Sequence, residues 1–220
     1  MKFTKDEVRK AMLLYAVTDQ MWLKEGEALA DVVESVLRNG ATFLQIREKD
    51  LAQDAFEVEA ERLKTLCAQH GVPFVVNDSV EIALKIGADG VHVGQSDIKG
   101  RDIRSIIGTD KILGISAGTV EEAIAAEKAG ADYIGVGAVF PTGTKKNATP
   151  MTMELLKEIV SSVSIPVVAI GGIGAGNILQ LCGSGVDGVA VVSAIFAAED
   201  PGKATADLLK LAEEVVASNG

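Results

Sequence analysis

Short runs of β-branched residues alternate along this chain with longer stretches whose apolar positions recur at helical spacing. That alternation is the pattern of parallel strands joined by crossover helices. Strands are predicted near Leu13–Thr18, Phe43–Arg47, Phe74–Asn77, Gly90–Val93, Ile112–Ser116, Tyr133–Gly137, Val167–Ile170 and Gly188–Val192. Between and after them, helices are predicted over Leu29–Arg38, Ala55–His70, Glu81–Ile86, Ile103–Ile107, Val120–Lys128, Met153–Val160, Ile178–Cys182 and Thr205–Val216.

An internal echo narrows the fold. Gly40-Ala41-Thr42, Gly87-Ala88-Asp89, Gly130-Ala131-Asp132 and Gly185-Val186-Asp187 each close a helix and open every second strand. A glycine just past a helix takes the left-handed conformation that caps it, and the small residue after it lets the chain turn inward. Such regularity predicts an α/β fold, a single (β/α)8 TIM barrel. A doubly wound open sheet would carry a glycine-rich turn after its first strand, where this chain has Thr18-Asp19-Gln20. With no linker or low-complexity stretch, residues 1–220 are expected to form one catalytic domain, residues 1–11 being an N-terminal helical extension.

Composition supports a sizeable core, since 48% of residues are hydrophobic, and 23 glycines allow many tight turns. The formal net charge of −10 disfavours coating nucleic acid or an anionic membrane, both of which would be repelled. Cys67 and Cys182 have no metal-ligand spacing and lie on predicted helix faces, so two buried thiols are expected. Met1–Lys10 lacks the apolar run of a secretory signal, and no segment approaches the roughly 18 uninterrupted apolar residues of a membrane span. A cytoplasmic location is expected, and a homo-oligomer is left open.

Barrel active sites form where the strands end. After the second strand, alternation in Gln45-Ile46-Arg47-Glu48-Lys49-Asp50 sends Gln45, Arg47 and Lys49 to one side. Two cations beside an amide suit a multiply charged phosphate; a solvated charge run would leave that one-sidedness as coincidence. The third strand ends in Asn77-Asp78, and Gly94-Gln95-Ser96-Asp97 follows the fourth. Either aspartate alone reads as a helix or turn cap, but beside a phosphate site the pair suits Mg2+, which takes oxygen ligands and keeps water and phosphate in its shell. Beyond the sixth strand, Thr142-Gly143-Thr144-Lys145-Lys146 offers hydroxyls and cations to fold over an anion. Gly171-Gly172-Ile173 and Val192-Ser193 follow the last two strands, with a short helix expected from Ser193, the common phosphate site of barrels. His92, Tyr133 and Trp22 have packing explanations and stay outside the catalytic set.

Together these segments, spread from Tyr15 to Ile195, resemble the thiamine-phosphate synthase family; Ser116 and the Asp89–Asp97 run match it too. The resemblance implies that 4-amino-2-methyl-5-pyrimidinylmethyl diphosphate and a thiazole ethyl phosphate are joined to give thiamine phosphate and pyrophosphate. It implies that Gln45, Arg47, Lys49, Asn77, Ser116 and Lys145 hold the pyrimidine diphosphate, with Arg47, Lys49, Ser116 and Lys145 assisting the chemistry. Asp78 and Asp97 would hold Mg2+, and Thr142, Thr144, Gly172, Val192 and Ser193 would meet the thiazole phosphate. The family often has histidine after Ser116-Ala117, where this chain has Gly118. That departure weighs against a thiazole tautomerase of similar fold, which is expected to move a proton with such a histidine, and raises a non-catalytic phosphate-binding regulator as a further alternative.

Overall fold

The strand and helix pattern resolves into a barrel in a computed structural model that describes residues 3–48, 51–143 and 150–219. The strands are β1 (Leu14–Val17), β2 (Phe43–Ile46), β3 (Phe74–Asn77), β4 (Gly90–Val93), β5 (Ile112–Ala117), β6 (Tyr133–Val136), β7 (Val167–Ile170) and β8 (Gly188–Val191). All neighbours pair in parallel in chain order, and β8 closes on β1.

Closure sorts side chains by parity. Leu14, Ala16, Leu44, Ile46, Phe74 and Val76 point outward into the layer shared with the helices, while Tyr15, Val17, Phe43, Val75, Ile112, Tyr133, Val168 and Ala190 fill the barrel. The ring of Tyr15 lies 4.5 Å from that of Phe43 and 5.9 Å from that of Tyr133, centroid to centroid, so three aromatic rings plug the interior. Helix α1 (Lys5–Ala11) begins in a capping box between Thr4 and Glu7. Its Val8 joins that interior cluster, as does Met12 just beyond its end, so the barrel is closed where its strands begin.

Around the barrel run α2 (Leu29–Arg38), α3 (Gln53–His70), α4 (Val80–Lys85), the single turn α5 (Gln95–Ile98), α6 (Ile103–Ile107), α7 (Val120–Lys128), α8 (Met153–Ser162), the single turn α9 (Ser193–Phe196) and α10 (Pro201–Ala217). The helix expected over Ile178–Cys182 is a 3-10 turn, Ile178–Leu181. Cys182 is consequently exposed rather than buried: Ile178 and Leu181 take the inward positions, and Cys182 leaves the turn in an extended conformation. Cys67 is buried, as expected. Among the described residues no helix is long and apolar enough to cross a membrane.

The fourfold echo has a second physical basis beyond its glycines, whose φ values are +103°, +65°, +83° and +84° at Gly40, Gly87, Gly130 and Gly185. The third residue of each repeat clamps the start of a neighbouring strand, at its first residue in β1, β3 and β7 and at its second in β5. Backbone N–H groups of Leu14, Phe74, Leu113 and Val167 donate to side-chain oxygens of Thr42, Asp89, Asp132 and Asp187 at 2.8–3.1 Å, and the clamp residues' own N–H groups return the bond to the same residues' carbonyls. Strand-initial amides thereby gain partners at the buried rim. Arg104 reinforces one clamp, pairing with Asp132 at 2.7 Å while donating to the carbonyls of Gly108, Lys111 and Gly130.

Replacing Asp132 by alanine removes the acceptor for Leu113 and strands the Arg104 charge, so Asp132→Ala should lower the free energy of unfolding by about 3 kcal/mol. Urea titration checks this; a loss under about 1 kcal/mol would mean that the clamp contributes little.

Candidate active site

The carboxyl ends of the strands surround a cavity of about 540 Å3, enough to enclose small-molecule ligands. Gln45 occupies an inward position on β2, is 4% exposed, and donates through Nε2 to the Tyr15 hydroxyl. Arg47, one residue past β2, lines the cavity, with Nη1 3.8 Å from Asp19 Oδ2. Glu48 turns the other way. Its carboxyl accepts the Thr18 hydroxyl and the Gln20 N–H, tying the end of β1 to that of β2, and burial pushes its pKa up. The parity expected for Gln45 and Arg47 is present; Lys49 lies outside the described residues.

Asn77 ends β3 on the cavity wall, and Asp78 follows with φ +62°, a left-handed conformation uncommon for a residue with a side chain. The cap of α4 is Ser79, whose Oγ accepts the Ile82 N–H, so helix capping does not account for Asp78. Asp97 is partly committed: its Oδ2 accepts the Gly94 N–H at 2.9 Å and holds the α5 turn. Both aspartates line the cavity. No group of three or more His, Cys, Asp or Glu able to hold a metal occurs among the described residues. Two carboxylates from neighbouring strand ends form an all-oxygen, incomplete set, which fits a hard cation that fills its shell with water and phosphate oxygens.

Ser116 stands on the wall at the end of β5, its Oγ 3.0 Å from His92 Nε2, while Gln95 donates to its carbonyl at 2.6 Å. Gly118 lies beside it, and its N–H donates to Glu122 Oε2 at 2.7 Å. A carboxylate from α7 therefore enters the wall beside Gly118, where the family resemblance led to the expectation of a histidine. Nothing in the sequence signalled Glu122, which reads as one more polar residue on a helix face.

Across the cavity, Gly171, Ile173, Val192 and Ser193 form the wall at the ends of β7 and β8. Gly172, with φ +67°, lies between them under the β6 loop, where an added Cβ would come 2.4 Å from the Pro141 carbonyl oxygen. It shapes that wall from behind and is not part of the lining surface. Helix α9 begins at Ser193, as expected, and its N-cap Val192 supplies no side-chain acceptor for the first-turn N–H groups. Thr142 reaches the cavity; Thr144 and Lys145 lie outside the described residues.

His92, set aside on sequence grounds, belongs to the wall, as does Tyr15, and His92 Nδ1 lies 3.0 Å from the hydroxyl of Tyr133, which was also set aside. Parity along Gly90-Val91-His92-Val93 carried the signal, because Val91 and Val93 pack outward and leave His92 inward. Burial pushes its pKa down to about 4, so the ring is neutral at physiological pH.

The cavity thus has a cationic, amide and carboxylate side and a glycine and helix-start side. The family described as thiamine monophosphate synthase matches residues 14–195, which carry every one of these elements. The chain belongs to that family. The thiamine-phosphate synthase of Ruminiclostridium cellulolyticum is 50% identical over 198 residues, 90% of this chain and 94% of that protein. That of Clostridium tetani is 46% identical over 195 residues, 89% of this chain and 93% of its own. Among solved structures, the thiamine phosphate pyrophosphorylase of Pyrococcus furiosus superposes with a TM-score of 0.86 at 40% identity, covering 94% of this chain and 98% of that one. The synthase family reading and the two-sided cavity agree.

The neutral His92 has a measurable consequence. Below pH 6.5 the unfolded chain binds a proton at this residue that the folded barrel refuses until about pH 4, so this contribution to stability falls as pH falls through that window. Urea unfolding at about pH 7 and about pH 5 should therefore show His92→Gln losing about 2 kcal/mol less than the parent chain over the interval; equal losses would contradict a buried neutral imidazole.

Proposed function

We propose that this protein is a thiamine-phosphate synthase, a transferase that joins 4-amino-2-methyl-5-pyrimidinylmethyl diphosphate to a thiazole ethyl phosphate, releasing pyrophosphate. It acts as one catalytic domain over residues 1–220, with residues 1–11 as a helical extension, and works in the cytoplasm. The observation that carries the reading is the two-sided cavity, whose halves suit a diphosphate with metal and a monophosphate. Family membership over residues 14–195 supports it.

On the β2–β5 side, Arg47, with Lys49 and Lys145 from segments outside the described residues, neutralises the diphosphate. Gln45, Asn77 and Ser116 fix its orientation through hydrogen bonds. Asp78 and Asp97 are the residues that would hold Mg2+, which when bound supplies positive charge to the leaving pyrophosphate. The C–O bond breaks with its electron pair leaving on pyrophosphate, and the aminopyrimidine ring spreads the positive charge left on the methylene carbon. The thiazole nitrogen then donates its lone pair to that carbon and becomes quaternary, so no proton has to be moved. Thr142, Thr144, Val192 and Ser193 hold the thiazole phosphate over the pyrimidine, with the first-turn N–H groups of α9 toward its charge and Gly172 keeping the wall in place. Cations fixed where charge develops cost no reorganisation in the reaction, which is where most of the rate gain arises.

Purified protein given both substrates and Mg2+ should release pyrophosphate and thiamine phosphate in equal amounts over many turnovers. Failure over a broad metal and pH range would reject the synthase, and binding without turnover would favour the non-catalytic regulator. Asp97→Asn keeps an oxygen that can accept from Gly94 but loses the charge, so the Mg2+ concentration for half-maximal rate should rise at least about tenfold. An unchanged Mg2+ dependence would remove Asp97 from the metal set. For Gly172→Ala, the clash with Pro141 should raise KM for the thiazole phosphate by about tenfold or more while leaving KM for the diphosphate near its starting value; equal changes in both would place Gly172 outside the monophosphate half-site.

A further inference from the structure

A continuous line of hydrogen-bonded side chains crosses the barrel at the floor of the cavity, with Gln45, Tyr15, His92 and Ser116 on its lining and Tyr133 beneath it. It runs from Ser116 Oγ to His92 Nε2 at 3.0 Å, from His92 Nδ1 to the Tyr133 hydroxyl at 3.0 Å, from that hydroxyl to the Tyr15 hydroxyl at 2.8 Å, and from there to Gln45 Nε2. Between the two ends, Tyr15, Tyr133 and His92 are buried, and both ends are residues assigned above to the pyrimidine diphosphate. The barrel is built to leave room for this line. A Cβ at Gly114 on β5 would lie 2.3 Å from the Tyr133 hydroxyl and 2.5 Å from His92 Nδ1, and one at Gly135 on β6 would press on His92 Cε1 at 3.2 Å.

Each interior member has one hydrogen to give. A neutral imidazole has one donor and one acceptor nitrogen, and each tyrosine has one O–H, so where every buried hydrogen finds an acceptor, fixing the direction of one bond fixes all of them. With the Gln45 amide donating to Tyr15, the Tyr15 hydrogen goes to Tyr133, whose hydrogen goes to His92 Nδ1. His92 then donates from Nε2 to Ser116, and the Ser116 hydrogen is free for the cavity. The reverse order would leave the Tyr15 hydrogen without an acceptor among the described residues, in a site 2% exposed. Only rotation of the Gln45 amide reverses the line, and Ser116 would then spend its hydrogen on His92 and offer the cavity lone pairs alone.

We propose that His92, Tyr133 and Tyr15 are positioning residues that transmit the orientation of the Gln45 amide on β2 to Ser116 on β5, holding the serine as a hydrogen-bond donor toward an anionic oxygen of the substrate. This rests on the placement of Ser116 at the diphosphate. A ligand that offers a donor to the Gln45 carbonyl oxygen and an anionic oxygen to Ser116 satisfies both ends at once; a ligand with an acceptor at the first position pushes the line toward its other polarity. The aminopyrimidine diphosphate has both groups.

The test is a double-mutant cycle in the full protein with both substrates and Mg2+. Ser116→Ala should lower kcat at least tenfold. Tyr133→Phe keeps the ring in its packing site but cuts the line, and should lower kcat at least fivefold with less than a twofold change in KM for the thiazole phosphate. Their combination should be no slower than Ser116→Ala alone, because the line acts only through that hydroxyl. Tyr15→Phe, which cuts one link further on, should behave the same way and takes the place of Tyr133→Phe if the latter does not fold. Multiplying losses in the combined variant, or phenylalanine variants with undiminished kcat, would overturn the coupling while leaving Ser116 in the site. Undiminished kcat in Ser116→Ala would instead reject the placement of Ser116, and the inference with it.

Discussion

A sheet closed on itself has an inside and an outside, and the two-residue repeat of a strand assigns every side chain to one or the other. The pairing of β8 with β1 imposes this here. Inward positions on separate strands are forced toward one axis, so Gln45, His92 and Ser116, contributed by three strands, meet within hydrogen-bonded reach of one another through two tyrosines. Without closure those residues would be scattered along a sheet with two open edges.

The same constraint divides the barrel along its axis. Toward the strand starts, Val8, Met12, Phe43 and Ile112 make a buried apolar plug, and the rim is fastened by the reciprocal clamps of Thr42, Asp89, Asp132 and Asp187. Toward the strand ends, polar inward residues replace apolar ones and glycines yield space. The plug and the clamps lie at the end of the barrel away from the cavity, which leaves the opposite rim to carry charges, a left-handed aspartate and glycines that a packed core would not favour.

The polar layer between these regions is tolerable because its members satisfy one another. A buried hydroxyl or imidazole without a partner would be costly, and an ionised one more so; burial accordingly holds His92 neutral and pushes both tyrosines well above their ordinary pKa. A layer of neutral groups whose bonds must all point one way is stiffer than the same groups in water. That stiffness suits a site whose work is to orient two substrates and stabilise departing charge.

Much of this was legible in the chain. Alternating strand and helix runs, the repeated Gly-Ala-Asp type corners and the one-sided spacing of Gln45 and Arg47 are local properties, set by backbone periodicity and by the steric freedom of glycine, and they need no tertiary contact to be read. Other features were invisible there. Nothing in the chain pointed to a role for the corner aspartates, because the amides they accept from belong to a neighbouring strand. Cys182 looked buried until a helix proved to be a 3-10 turn. Glu122 and the line through His92 and the two tyrosines join residues distant in sequence, through contacts that exist only once the sheet has closed. Sequence alone determined the elements, their order and the charged rim, because those follow from short-range geometry; the tertiary structure decided which buried polar groups share hydrogens, because that depends on long-range register.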